Sequence, residues 1–138
     1  MTLNFKVRKS PEFVFDCLSD PQKFVAVHPL IYKIELIEGT SYRVFERVKL
    51  GFITRSFTYK ADIRSSDMMV HINAVVDRFT KVEMRFSIDA SDEGAHVQEE
   101  IKIRSFLPIR GYMEGVFREQ HATMFENIQS LQLYPISG

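Results

Sequence analysis

Apolar and polar residues alternate in short runs along most of this chain, and only near its end does the spacing lengthen to that of a helix. Leu3, Phe5 and Val7 alternate with Asn4, Lys6 and Arg8, the period of a strand with one buried face. Ser10-Pro11-Glu12 then supplies a cap, a proline suited to the first helical turn and an early acid, and Asp20-Pro21 repeats the cap and the proline. Two short helices are therefore expected in succession. His28-Pro29 stops the second, because the residue before proline is driven out of helical geometry. Six more strands are predicted: Ile31 to Glu38, Tyr42 to Leu50, Phe52 to Ile63, Met68 to Val76, Thr80 to Ala90 and Ala95 to Ser105. Gly39-Thr40-Ser41, Gly51, Ser65-Ser66-Asp67 and Asp92-Glu93-Gly94 supply turns between them.

From about Pro108 to Leu133 the period is helical, opened by Leu107-Pro108. Met113, Phe117, Met124, Ile128 and Leu131 form one stripe, with Glu119, Ala122 and Glu126 opposite. The expected fold is α+β: a curved antiparallel sheet of about seven strands wrapped on a long C-terminal helix, with two short helices after strand one. Such a pairing encloses a pocket.

Residues 1–138 are expected to form a single domain, since a chain of this length buries about two-thirds of its unfolded surface. The 18 basic and 18 acidic side chains cancel, which argues against nucleic acid as a partner. No apolar run approaches the ~20 residues of a membrane span, and the first residues lack the apolar core of a signal peptide, so a cytoplasmic protein without a transmembrane segment is expected. Cys17 is the only cysteine, which excludes an internal disulfide and a cysteine-rich zinc site, and its place with Phe13, Val14 and Leu18 on one helical face suits a buried thiol. His28, His71, His96 and His121 lie on separate elements, with His71 and His96 facing solvent by parity. Neither a metal nor another cofactor is expected.

The order of elements over essentially the whole length, the phrase Ser10-Pro11-Glu12-Phe13-Val14-Phe15-Asp16-Cys17-Leu18-Ser19-Asp20-Pro21 and the later His28-Pro29 carry a family resemblance. The chain resembles the helix-grip superfamily, also called SRPBCC or START-like, which includes birch-pollen-allergen proteins, polyketide cyclases and lipid-transfer domains. The resemblance implies a cavity between sheet and C-terminal helix that takes apolar or amphipathic small molecules. Where the plant allergens carry a glycine-rich loop, this chain offers only Gly39.

Strand parity assigns each residue to the pocket side or the solvent side. Val44, Phe57, Ile72, Met84, Phe86 and Ile101 share the inward parity with three charged residues, Glu46, Arg55 and Glu99. A tight turn at Leu50-Gly51 would set Glu46 opposite Arg55, Val44 opposite Phe57 and Tyr42 opposite Tyr59. Glu99 would face Phe86. An unpartnered ion in such a place costs several kcal/mol, so these groups must be paired, hydrated or shifted in pKa.

Two accounts stay open: Glu46 and Arg55 form a structural pair with Glu99 reaching water at the mouth, or these residues anchor a polar group of a ligand. The candidate ligand-binding set is Phe57, Tyr59, Met84, Phe86, Met113, Phe117 and Met124 as wall, with Glu46, Arg55, Glu99, Gln120 and His121 as polar groups. The leading expectation is binding of a small hydrophobic or amphipathic molecule. One alternative is a polyketide cyclase- or dehydratase-like enzyme using Glu99 or His121 as acid or base. Another is a co-chaperone-like interaction module, with a cavity too small for ligands and Leu133, Tyr134 and Ile136 in an outer apolar patch. A homodimer through that tail is equally open.

Overall fold

The computed structural model describes residues 1–50 and 52–131, the side chains of residues 49 and 50 excepted. Leu133, Tyr134 and Ile136 lie outside the described residues. The elements run β1 (Thr2–Val7), α1 (Pro11–Ser19), α2 (Pro21–Val27), β2 (Ile31–Glu38), β3 (Ser41–Leu50), β4 (Ile53–Ser66), β5 (Met69–Asp77), β6 (Thr80–Ser91), β7 (Gly94–Ser105) and α3 (Arg110–Ser130). All seven strands join one antiparallel sheet in the order β1-β7-β6-β5-β4-β3-β2. The expected fold is the observed one. Register shifts in β2 and late in β5 locally bend and twist the sheet, which helps it curl around the helix.

Local chemistry explains the two short helices. Ser10 Oγ accepts from Phe13 N at 3.1 Å, and Asp20 Oδ1 accepts from Gln22 N at 2.9 Å and Lys23 N at 3.3 Å, with proline opening each helix. Asp20 serves twice, because its own N–H closes α1 on Asp16 O. The pair carries the chain from one edge strand, β1, to the other, β2, across an end of the curved sheet.

Helix α3 is shorter than its apolar pattern suggests. Pro108, expected in its first turn, stands just ahead of it. Ser105 Oγ accepts from Leu107 N, and Ile109 N donates to Leu107 O at 2.8 Å, so a separate turn intervenes. At the other end Leu131, expected on the buried stripe, is exposed beyond the last helical residue. The C-terminal half of α3 is seated firmly: Met124, Phe125 and Ile128 are buried, and Phe125 stacks on Phe5 of β1 with ring centroids 4.5 Å apart. Its N-terminal half, with Met113, Val116 and Phe117 half-buried, spans the open part of the sheet as a roof.

Two hairpins differ from expectation. β4 continues through Ser66, and Asp67 and Met68 form the turn with φ of 52° and 61°, the geometry of a two-residue hairpin loop that follows the strands' twist. In the β3–β4 hairpin Leu50 pairs with Ile53, two residues beyond the expected register. Glu46 therefore faces Phe57, Val44 faces Tyr59, Tyr42 faces Ala61, and Arg55 faces Val48. Glu46 and Arg55 are not a pair. On β6 and β7 the expected register holds, with Phe86 opposite Glu99 and Met84 opposite Ile101.

Candidate functional site

Under the N-terminal half of α3 lies a cavity of about 290 Å³. Val48, Phe57, Tyr59, Ala74, Val76, Val82 and Met84 supply the sheet side, while Ile109, Tyr112, Met113, Val116 and Phe117 supply the helix side. Glu46 and Gln120 are the charged and amide groups in this apolar lining. A deeper chamber of about 30 Å³ shares Glu46, Tyr59, Ala74, Met84, Phe117 and Gln120 with it, and continues it toward Phe24, His28 and His121. The inner chamber has room for about one or two waters.

Each polar group there has a definable state. Tyr59 Oη donates to Glu46 Oε1 at 2.9 Å, a diagonal contact between neighbouring cross-strand positions. Burial pushes the Glu46 carboxyl above its ordinary range, with the Tyr59 hydrogen bond and the nearby His121 pulling the other way. Burial, followed by the Glu46 charge and hydrogen bond, holds the Tyr59 phenol well above its ordinary value, so it remains a neutral donor. His121 Nδ1 stands between the carboxylate oxygens of Glu99: it donates to Oε1 at 2.8 Å and is 2.6 Å from Oε2, which lies off the N–H direction and receives no hydrogen bond. Glu99 is fully buried and His121 nearly so. Rings of Phe86 and Phe117 pack beside the imidazole.

His28 closes the inner end, and neither its role nor its burial is foreseen from sequence, where it marks only a helix stop. Its Nδ1 accepts from Leu30 N at 3.1 Å and Ile31 N at 2.9 Å, which places the ring proton on Nε2. Burial first, and the neighbouring His121 second, lower its pKa to about 3. A histidine held neutral in the folded state and free to charge when unfolded contributes stability that is fully present above pH ~6.5. That contribution is lost as pH falls toward 3, at up to about 1.4 kcal/mol per pH unit. Urea denaturation at pH 7 and pH 5 is expected to show this slope in the native chain and a flatter one in His28→Asn, whose side-chain oxygen can still accept from the two amides. An equally steep slope in the variant would remove His28 from the account.

Of the candidate residues, Glu46, Phe57, Tyr59, Met84, Met113, Phe117 and Gln120 line the main cavity, and His121 lines the inner chamber. Phe86 and Met124 belong to the closed core, because α3 seats on the sheet at their level. Glu99 neither reaches water at the mouth nor touches the cavity; it is sealed behind His121. Arg55 has the inward parity, but the hairpin has passed the end of the roof where it lies, and its side chain is exposed. His71 is half-buried on the outer face with Nε2 2.7 Å from Glu83 Oε2, and His96 there meets Asn4. Among the described residues no group of three or more His, Cys, Asp or Glu could hold a metal ion, and no helix is long and apolar enough to cross a membrane.

A seven-stranded antiparallel sheet curled around a C-terminal helix, with two short helices after the first strand and an apolar cavity beneath the roof, defines a helix-grip protein of the SRPBCC or START-like class. Residues 4–104 match the model of the carbon monoxide dehydrogenase CoxG family, and the chain belongs to that family. Among solved structures, it is similar to a START superfamily protein from Mycobacterium smegmatis, at TM-score 0.77 and 19% identity over 94% of this chain and 95% of that one. Ara h 8.0201 is similar at TM-score 0.75 and 15% identity over 94% and 93%. The di-domain ARO/CYC StfQ from the steffimycin biosynthetic pathway is similar at TM-score 0.73 and 9% identity over 94% of this chain and 49% of that one. Identities this low speak for the fold alone. No curated protein matches the chain in sequence.

Proposed function

We propose that the protein binds a small hydrophobic or amphipathic molecule in the cavity between the sheet and α3. The observation that supports this best is the cavity's make-up: about 290 Å³ of mostly apolar wall, with Glu46, Tyr59 and Gln120 gathered toward its inner end. Met84 and Met113 in the wall suit ligands of varied shape, since thioether chains repack readily. A cavity of this size does not fit the interaction-module alternative, which requires one too small for ligands.

Native mass spectrometry of freshly purified protein is expected to show an excess mass that denaturation removes. Ala74 lines both compartments, so Ala74→Leu fills the passage between them. The carried fraction in that variant is expected to fall to about a tenth, a change of ~1.4 kcal/mol in binding. A bare native mass, together with no uptake of added apolar molecules by a folded native chain, would defeat the proposal.

A second reading draws on His121. Its Nδ1 is held by Glu99 and its ring lines the inner chamber, an arrangement in which Nε2 can act as acid or base in a cyclase- or dehydratase-like reaction. That reading requires a carried molecule to change on the protein, so recovery of every bound compound unaltered counts against it.

A further inference from the structure

We infer that the cavity selects molecules whose polar end is an uncharged oxygen group, a hydroxyl or a carbonyl, and turns away carboxylates, phosphates and sulfates. This inference rests on the binding function proposed above and names the class of ligand it takes.

Charge supplies the first part of the argument. The lining of the two compartments includes the Glu46 carboxyl and neither a lysine nor an arginine among the described residues. The cation with the right strand parity, Arg55, is exposed and outside the lining. An anionic head moving inward would lose its water against an apolar wall and meet a second carboxyl, with no cation to offset either cost. Glu99, the other buried carboxylate, has its donor in His121 Nδ1, so its charge is answered within the protein and asks nothing of a ligand.

Hydrogen-bonding capacity supplies the second part. The Tyr59 proton is committed to Glu46, which leaves the phenol oxygen free to accept. Gln120 is buried, lines both compartments and carries a donor and an acceptor on one amide. A hydroxyl or a carbonyl can be matched by these groups without burying net charge. An ammonium would have to satisfy three donors at a carboxyl already occupied by Tyr59, among walls that offer little else, and a buried ion pair of that quality does not repay its desolvation.

Decanol, decanoate and decylamine share one chain and differ in the head, and their binding can be followed by NMR titration at pH 8, where decanoate is ionised. Decanol is expected to bind at least about tenfold more tightly than decanoate, and more tightly than decylamine. The isosteric Glu46→Gln change is expected to raise decanoate affinity about tenfold while leaving decanol within about threefold. A preference for the alcohol that came merely from its greater lipophilicity would not move in that variant, and this result would overturn the role given to Glu46. Decanoate or decylamine binding as tightly as decanol would overturn the selection while leaving the binding function standing. Absence of saturable shifts with all three probes would overturn the binding function and the selection together. The ranking on the native chain decides the matter even where the variant does not fold.

Discussion

Replacing His121 with leucine is expected to lower the unfolding free energy by about 3–5 kcal/mol, read from urea denaturation at neutral pH. The side chain it removes supplies the donor to Glu99, which is fully buried and sealed between β7 and α3. Deleting that partner leaves a carboxylate in an apolar core with neither a donor nor water, and the penalty is the full desolvation of the acid. The companion double replacement, Glu99→Met with His121→Leu, is expected to recover most of the loss, because a buried pair exchanged for apolar side chains of similar volume is close to neutral. A loss below about 1 kcal/mol in the single variant would be the behaviour of a solvent-screened pair, and would contradict the sealed geometry. Recovery in the double variant separates a role in stability from one in binding, since the double variant keeps Glu46, Tyr59 and Gln120.

Gly94→Ala is the second large effect, at about 2–4 kcal/mol by the same measurement, from backbone strain and overpacking together. Gly94 opens β7 with φ of 148°, a conformation that side-chain-bearing residues rarely adopt. A Cβ built there would stand 2.5 Å from Val7 O, 2.7 Å from Lys9 O and 2.9 Å from Lys9 N. These are backbone atoms, so the chain leaving β1 must move to admit a methyl group. β1 is an edge strand paired with β7 alone, and hydrogen exchange is expected to show it losing protection before the rest of the sheet. Gly39→Ala provides the comparison: its φ of 55° carries strain, but nothing lies within 4 Å of the added atom. Equal losses at the two positions would mean that the close approach to β1 contributes nothing.

Much of the fold is legible in the sequence because its signals are local. The caps at Ser10 and Asp20, each followed by proline, work through hydrogen bonds to the next few residues, and both short helices stand where those signals put them. Alternation is equally local, since successive side chains of a strand point to opposite faces. The inward parity of β4, β6 and β7 therefore identified most of the cavity wall. It could not identify partners. Sliding the β3–β4 hairpin by two residues preserves every inward position and changes every cross-strand neighbour, which is why Glu46 meets Tyr59 and Arg55 is left exposed.

Sequence alone thus determined the class of fold, the order of its elements and which face of each strand is apolar, because these follow from bond geometry and side-chain chemistry over a few residues. Tertiary structure alone decided that Glu99 is answered by His121, that His28 is held neutral at the end of the cavity, and that α3 seats with one half and roofs with the other. Those outcomes depend on how a helix is rotated and set down on a curled sheet, and that placement is fixed by packing between residues far apart in the chain.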